Sequence, residues 1–305
     1  MRFAVIGAGA VGSYFGARLI DAGQDVSFVA RGATLQALRD KGLSIITEGR
    51  RDTVTVQATD DAANIGNVDY VISAVKATQV IDALEPAGAL IGSDTAVITT
   101  QNGVDGPRLT ASVVGREHTI PGVVKAYVAA REPGVTEFRG GPGSLEVAEW
   151  TNEPSERVTA LRKAFEDAGI GSPVPRDVWE LLWAKSMFVV PPGGLGAITG
   201  LPLGELLSRQ GLRRVLIDAT TEIRDVAVAR GVDMPYGIVA DTVAFDEAQP
   251  PSSTTSMQRD IMSGRPSELD PQLGAIVRYG REAGVPTPLH ELMYEVLKLR
   301  RNDAQ

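Results

Sequence analysis

The sequence predicts an α/β N-terminal domain with a doubly wound parallel sheet, followed by an all-helical C-terminal domain. Three observations support this prediction: a glycine-rich βαβ unit at the N-terminus, alternating strand-like and helix-like runs up to about residue 150, and only helical patterns after a Gly/Pro-rich stretch at 171–175. The 305 residues, 43% of them hydrophobic, suffice for two cores. We place the domains at residues 1–172 and 173–305.

The N-terminal unit begins with an apolar run at 3–6, continues through a glycine turn into a helix-like stretch, and ends in a second strand at 26–30. The glycine turn consists of Gly7, Ala8, Gly9, Ala10, Val11 and Gly12. In this context Gly7 allows a tight turn, Gly9 lets the backbone approach a pyrophosphate, and Gly12 lets the helix pack on the strand. The first domain is therefore predicted to be a Rossmann-type dinucleotide-binding domain.

The residue after the second strand indicates which dinucleotide binds. A site for the unphosphorylated cofactor normally carries Asp or Glu about 20 residues beyond the glycines, to bond the ribose 2′-hydroxyl. This chain has Arg31 there, and no acid occurs between Asp25 and Asp40. A guanidinium suits a 2′-phosphate through bidentate, charge-assisted hydrogen bonds, so we predict NADP(H), although a solvated loop cation is the alternative.

Further elements follow from the pattern of apolar residues. In the first domain we expect strands at 68–75 and 95–100, a helix at 77–90, and antiparallel hairpins from 119–131, 135–139 and 144–149 at the sheet edge. A helix at 155–168 closes this domain. In the second domain we expect helices at 178–190, 202–209, 213–230 and 269–283, and a last one from about 289.

Composition excludes several classes of function. The net charge of −8 and the pI near 5.0 argue against a general nucleic-acid or acidic-membrane partner. The chain has no cysteine and only two histidines, His118 and His290, which do not have the spacing of metal ligands, so we expect no metal site.

The N-terminal apolar run is interrupted by glycines, which argues against a secretory signal. No segment reaches the roughly 18 uninterrupted apolar residues that are needed to span a bilayer. We expect a soluble, cytoplasmic protein.

Two polar residues fall at the carboxyl ends of predicted strands, where an open parallel sheet binds its ligand. Lys76 follows the strand at 68–75, and Asn102 follows the strand at 95–100. Both are expected to face the cofactor crevice. The alternatives are a solvated strand-end cation for Lys76 and an ordinary Asn-Gly turn for Asn102.

The helix at 178–190 contains an unusually placed cation, Lys185. Its neighbours three and four residues away are all apolar, so Lys185 either extends to water at the helix edge or is partly desolvated and ready for proton transfer. A partner is available in Glu268, the expected first helical residue after a capping box of Ser267 and Asp270; alternatively, Glu268 only complements the helix dipole. A hydroxyl in the segment 254–257 either binds a substrate carboxylate or caps the next helix.

These residues resemble those of the ketopantoate reductases (2-dehydropantoate 2-reductases), nearly from end to end. The resemblance rests on an ordered set of motifs: the glycine turn 7–12, Arg31, Ala74-Val75-Lys76, Gln101-Asn102-Gly103, Trp183-Ala184-Lys185, Ala197-Ile198-Thr199-Gly200, Ser256-Met257 with Asp260, and Ser267-Glu268-Leu269-Asp270. It implies NADPH-dependent reduction of a 2-keto acid to the 2-hydroxy acid, with ketopantoate in pantothenate biosynthesis as the leading substrate. It also suggests a homodimer.

By this resemblance, Lys185 protonates the developing alkoxide, and Glu268 binds the substrate hydroxyl and orients the lysine. Asn102 and Lys76 would line the nicotinamide end of the cleft, and Ser256 would hold the carboxylate. These roles agree with the chemistry, because hydride transfer builds negative charge on the carbonyl oxygen, which a positioned ammonium group stabilises.

The chain departs from the family pattern around the expected substrate. It has Val189, Gly193, Ser253 and Leu273 where the family tends to have asparagine. Because lost polar anchors change substrate discrimination, a related reductase of a different 2-keto acid is the first alternative. A non-catalytic NADP-binding redox sensor is the second, although binding alone requires neither Lys185 nor Glu268.

Overall fold

The structure is a computed structural model that describes residues 1–302, so the last three residues of the predicted second domain lie outside it. The chain forms two compact units. The first comprises residues 1–101 and 106–178, and the second comprises residues 102–105 and the chain from residue 179 onward. The domain boundary between residues 172 and 173 stays a prediction.

The first unit is built on a parallel sheet. Its strands are β1 (Arg2–Ile6), β2 (Asp25–Val29), β5 (Gln57–Thr59), β6 (Tyr70–Ser73), β7 (Ala96–Thr99) and β8 (Thr119–Ile120). They run in the order β5-β2-β1-β6-β7-β8, and every neighbouring pair is parallel. The strand order reverses between β1 and β6, and a sheet of this kind binds its ligand at that reversal, outside the carboxyl ends of the strands.

Both faces of this sheet are buried, which explains the continuous apolar runs. In β1, Phe3 and Val5 enter one apolar cluster and Ala4 and Ile6 enter another, because successive side chains of a strand point to opposite faces. The helices of this unit are α1 (Ala10–Asp21), α2 (Gly32–Lys41), α3 (Val80–Leu84), α4 (Gly106–Val114) and α5 (Glu156–Asp167). The predicted α/β fold class is confirmed.

The sequence suggested antiparallel hairpins at the edge of the parallel sheet, but only β8, the first two residues of the predicted strand 119–131, lies at that edge, and its pairing is parallel. The strands β3 (Leu43–Thr47), β4 (Arg50–Val54), β9 (Gly122–Glu132) and β10 (Val135–Val147) form a separate sheet in the order β4-β3-β10-β9. The Gly/Pro-rich segment 140–143 does not split β10, because it is accommodated as an irregularity in the pairing with β9. The pairing of β10 with β3 is long-range, so no local pattern announced it.

The predicted helix at 77–90 is interrupted. Only α3 is α-helical, and short 3₁₀ turns lie at Ala77–Gln79 and Glu85–Leu90. Pro86 has no backbone N–H and lies in the second 3₁₀ turn, so it cannot donate an α-helical hydrogen bond there.

The second unit is helical, as predicted. Its helices are α6 (Val178–Thr199), α7 (Leu203–Ser208), α8 (Gln210–Ala229), α9 (Ile238–Glu247), α10 (Ser256–Met262), α11 (Ala275–Ala283) and α12 (Pro288–Asn302). A π-helical turn at Asp270–Gly274 leads into α11. The expected end of α6 at residue 190 is wrong, because α6 continues through Pro191 and Pro192; burial of this helix outweighs the two missing N–H donors.

Helix α6 is long and apolar enough to cross a bilayer by length and composition. Its mean hydropathy over 18 residues is 1.3, but 72% of this window is buried inside the protein. A core helix of a soluble protein has the same properties. Burial of α6 therefore explains its composition.

Candidate functional site

The glycine turn has the geometry predicted for Gly7 and Gly12. Gly7 has φ +95°, and a Cβ there would lie 2.8 Å from Val75 Cγ1. A Cβ on Gly12 would overlap the carbonyl oxygen of Gly7 and lie 2.8 Å from Val5 Cγ1. Gly7 thus permits the turn, and Gly12 lets α1 pack directly on β1.

Gly9 differs from the other two glycines, since a Cβ there would meet nothing within 4 Å. It is the N-cap of α1, and no side chain caps the helix there. The first N–H groups of α1 therefore point out beside open space, which is the arrangement that binds a phosphate group. A cavity of about 280 Å³ adjoins this turn and is lined by Ala8, Gly9, Thr34 and residues 130–136 of the β9–β10 hairpin.

Arg31 and Lys76 lie at strand ends next to this turn. The Gly7 N–H donates to the Val29 carbonyl (3.0 Å), at the end of β2, and Arg31 follows as the exposed N-cap of α2. On the other side of β1, Val75 contacts Gly7, and half-buried Lys76 comes next. The first unit therefore brings together all of the candidate cofactor residues that belong to it.

Gln101 is a residue whose importance sequence reasoning missed. It is buried, and its side-chain amide donates to the carbonyls of Ser73 (2.9 Å) and Val75 (3.0 Å). These bonds tie the segment after β7 to the segment that carries Lys76. A glutamine directly after a buried strand was the available signal, but its partners lie 26 and 28 residues away in the chain.

In the second unit, Lys185 begins a stripe along α6. Residues four and eight positions later, Val189 and Gly193, share its helix face. Lys185 is half-buried, and Val189 is 8% exposed. A Cβ on Gly193 would lie 2.8 Å from Thr255 Oγ1 and 3.0 Å from Met257 Cε, so this stripe leads to the start of α10.

The structure at the start of α10 shows which of its hydroxyl groups caps the helix. Thr255 is the N-cap, and its hydroxyl accepts a hydrogen bond from the Gln258 N–H (3.1 Å). Ser256 is the first helical residue and half-buried. Capping is therefore done by Thr255, which leaves the Ser256 hydroxyl outside that cap.

Glu268 lies in the turn before α11, and its surroundings differ from the prediction. The expected capping box is wrong, because the Asp270 carboxylate bonds Arg278 (3.2 Å) and Tyr294 (2.6 Å) instead. Glu268 is not the first helical residue; it precedes the helical segment, and its carbonyl accepts from the Gln272 N–H (3.0 Å). The residue is 8% exposed, and its carboxylate accepts a hydrogen bond from Gln272 Nε2 (3.3 Å).

The π-helical turn after Glu268 is anchored to α12. Burial, and then the hydrogen bond to Asp270, raise the pKa of Tyr294 to about 12. Tyr294 therefore stays a neutral donor to this carboxylate over the physiological pH range. This fixed contact holds the turn that presents Glu268.

Asn102 belongs to the same unit through a neighbouring anchor. Asp105 is 1% exposed and accepts hydrogen bonds from Arg278 Nη2 (2.7 Å) and the Tyr279 hydroxyl (2.7 Å) on α11. Sequence reasoning missed this anchor, because an aspartate before Gly-Pro is typical of a helix cap and its partners lie more than 170 residues away. Lys185, Ser256, Glu268 and Asn102 thus all lie in the second unit.

Comparison with known proteins decides the family. The family model described as "Ketopantoate reductase PanE/ApbA" matches residues 3–152. The model for the C-terminal part of the same family matches residues 177–301. The chain belongs to the ketopantoate reductase family. It is therefore an oxidoreductase that acts on a 2-keto acid, and this part of the prediction is confirmed.

Relatives match over almost the whole chain. A 2-dehydropantoate 2-reductase of Mesorhizobium japonicum is 32% identical over 94% of both chains. One from Pyrococcus horikoshii is 26% identical over 99% of this chain and 98% of its own. The crystal structure of a PanE/ApbA family ketopantoate reductase from Ralstonia eutropha is 30% identical, covers 100% of both chains and superposes with a TM-score of 0.92.

Membership of the ketopantoate reductase family does not assign a role to each candidate residue of this chain, so these roles are still predictions. Within residues 1–302, no group of three or more acidic or histidine side chains is placed to hold a metal ion. The candidate residues lie in two separate units.

Proposed function

We propose that the protein catalyses NADPH-dependent reduction of ketopantoate to pantoate, a step of pantothenate biosynthesis. The observation that carries the proposal is a buried carboxylate, Glu268, held by Gln272 in the same unit as half-buried Lys185. A relative named 2-dehydropantoate 2-reductase, aligned over 94% of the chain, supports the substrate.

The first unit fits a dinucleotide. The open space at Gly9, together with the uncapped N-terminus of α1, suits a pyrophosphate. Exposed Arg31 at the end of β2 suits the 2′-phosphate, which supports NADP(H) over the unphosphorylated cofactor. Ala8, Ala10 and Val11 of the turn complete the proposed pyrophosphate site, and Lys76 would bind toward the nicotinamide.

The second unit supplies the groups that the reaction needs. NADPH, when bound, supplies the hydride. The Lys185 ammonium stabilises the negative charge that develops on the substrate carbonyl oxygen and donates the proton to that atom. Glu268 accepts a hydrogen bond from the substrate hydroxyl and orients Lys185, while Ser256 binds the carboxylate and Asn102 contributes to both cofactor and substrate binding.

A second candidate function is reduction of a different, more apolar 2-keto acid. Two contacts favour it. Gly193 has no room for a side chain beside Thr255, and Leu273 is fully buried, with its methyl groups near Gly194. Positions 193 and 273 therefore lack the asparagine amide that the family tends to have there. Val189 and Ser253 also replace asparagines of the family pattern.

The test is to follow NADPH absorbance with purified protein against ketopantoate and a panel of branched 2-keto acids. We expect the highest kcat/KM with ketopantoate. Turnover of another acid without turnover of ketopantoate would establish the second candidate instead. NADPH binding without turnover of any acid would contradict both functions and favour a non-catalytic redox sensor.

We further propose a cytoplasmic location and a homodimer. The absence of cysteine is compatible with a reducing compartment. The partner predicted from composition is a small molecule rather than a nucleic acid or a membrane. Size-exclusion chromatography with light scattering gives the oligomeric state directly.

A further inference from the structure

A cavity lies beside the glycine turn, and the tip of the β9–β10 hairpin forms much of its wall. Its volume is about 280 Å³, and it is lined by Ala8, Gly9, Thr34 and residues 130–136. Small-molecule pockets begin at roughly 300 Å³, so this cavity fits part of a dinucleotide rather than a whole one. All of its lining residues belong to the first unit.

One side of the cavity is formed by the edge of the proposed cofactor site. Gly9 is the N-cap of α1, where the pyrophosphate is proposed to bind. Thr34 is half-buried in the first turn of α2, three residues after Arg31, which is the N-cap of that helix. In a dinucleotide-binding fold, the adenosine ribose lies between the glycine turn and the end of the second strand. The part of NADP(H) nearest the cavity is therefore the ribose that carries the 2′-phosphate.

The hairpin side of the cavity brings a cation toward this ribose. Arg131 lines the cavity, and its side chain is 49% exposed. Its Nη2 bonds Glu137 Oε2 (2.6 Å), and Arg139 Nε donates to the same oxygen atom (2.6 Å). One carboxylate oxygen thus serves two guanidinium groups. Arg131 can therefore turn to another anion while Arg139 keeps Glu137 paired.

The charged side chains around the hairpin tip leave an excess of positive charge. Glu132, the acidic residue that lines the cavity, is bonded by Arg51 Nη2 (2.9 Å) from β4. Arg51, Arg131 and Arg139 are thus paired with only Glu132 and Glu137. The whole chain, in contrast, has a net charge of −8. A local excess of positive charge beside a cavity favours an anionic group such as a phosphate.

We propose that Arg131 is a specificity-determining residue for the cofactor. Its guanidinium group leaves Glu137 and, together with Arg31, binds the 2′-phosphate of NADP(H). This inference rests on the proposed use of NADPH and deepens it. It gives the sheet β4-β3-β10-β9 a role in cofactor recognition, because the tip of its β9–β10 hairpin forms a wall of the ribose-phosphate pocket.

The test measures the Kd values of NADPH and NADH by fluorescence titration of the protein without substrate. Arg131→Gln removes the charge and keeps a polar side chain. We expect NADPH affinity to fall by about three- to tenfold, less than for Arg31→Ala, because Arg131 is half exposed and exchanges one anion for another. NADH affinity stays unchanged, since NADH has no 2′-phosphate. Arg131→Lys keeps the charge without the planar fork and retains part of the preference for NADPH.

Glu137→Gln tests the same contact in the opposite direction. This variant removes the carboxylate that competes for Arg131, so NADPH affinity rises by about twofold or more, within the range of an exposed ion pair. NADH affinity again stays unchanged. If the ion pair of Arg131 and Glu137 had only a structural role, the two variants would behave alike, because either one breaks the pair.

Arg50→Gln is the matched control. Arg50 is an exposed arginine of the same sheet, is bonded to Asp52 (2.9 Å) and does not line the cavity. The variant removes the same charge as Arg131→Gln, and both Kd values stay at the wild-type level. An equal loss of NADPH affinity in the two variants would be an effect of net charge and would overturn the inference.

The outcomes separate this inference from the proposed function. A wild-type protein that binds NADH as tightly as NADPH contradicts the proposed use of NADPH, and the inference falls with it. A wild-type protein that prefers NADPH, together with an Arg131→Gln variant that keeps the wild-type ratio of Kd values, overturns the inference alone. Weaker NADPH binding by Glu137→Gln does the same. Because these titrations contain no substrate, failure to reduce ketopantoate leaves their result unaffected.

Discussion

The two candidate sites of this protein are built in opposite ways. In the first unit, the site consists largely of backbone from one short turn, where Gly7, Gly9 and Gly12 leave room that side chains would fill. In the second unit, it consists of side chains from α6, α10, the turn before α11 and the segment 102–105. A site made of local backbone can be predicted from a sequence motif, whereas a site that is assembled from distant segments can be predicted from the sequence only in part.

The units also differ in their unpartnered buried polar atoms. Among the described residues, those in the first unit are the hydroxyls of Thr110 and Ser144, which are small and neutral. Those in the second unit belong to Asp246, Gln272 and His290, which are titratable or strongly polar. Burial of each of these three groups without a partner costs more than burial of a hydroxyl.

The largest expected effect separates chemistry from cofactor binding. Lys185→Ala removes the proposed proton donor, so we expect kcat to fall by about 10²–10⁴-fold. The affinity for NADPH stays near the wild-type value, because the proposed cofactor residues of the glycine turn belong to the first unit. Steady-state kinetics and fluorescence titration measure the two quantities, and an unchanged kcat would refute the proton-donor role.

An intermediate effect tests the cofactor site. Arg31→Ala removes the proposed 2′-phosphate contact, so NADPH affinity falls by about 10–100-fold, the value of a charge-assisted hydrogen bond. NADH affinity changes little. Arg50→Ala, at an exposed arginine of β4, is the control and leaves both affinities unchanged. Equal losses for both cofactors would show that Arg31 does not bind the 2′-phosphate.

The smallest effect concerns stability in the second unit. Burial, and then the charge of Glu247, raise the pKa of Asp246 from 3.8 to about 7. Between these two values the folded state binds more protons than the unfolded state, so this carboxyl lowers stability progressively as pH rises through the window. Below 3.8 the carboxyl is protonated in both states and has no effect.

Asp246→Asn removes this titration. From about pH 5 to about pH 7, we expect the wild type to lose on the order of 1–2 kcal/mol of unfolding free energy relative to the variant. Urea denaturation at several pH values measures the difference. Parallel stability curves for the two proteins would mean that Asp246 does not titrate in this range.

Much of the fold followed from local patterns. Strands β1, β2, β6 and β7 of the parallel sheet and helices α5, α7, α8 and α12 coincide closely with their predicted ranges, whereas β5 was not predicted and β8 was expected to be part of a hairpin. Two of the errors share one cause: the second sheet depends on the pairing of β10 with β3, and the continuation of α6 through two prolines depends on burial, whereas Pro86 interrupts the helix predicted at 77–90. Such long-range contacts override local preferences.

The sequence by itself determined the fold class, the glycine turn and the family, because the first two depend on local patterns and the family depends on short motifs that occur in a fixed order along the chain. It also singled out Lys185 and Glu268 as candidates. Only the tertiary structure decided that Asp105 anchors the segment of Asn102, that Thr255 rather than Ser256 caps α10, and that Gln272 holds Glu268. The physical reason is that side-chain hydrogen bonds at a site are chosen by distance in space, and folding brings together partners that the chain separates.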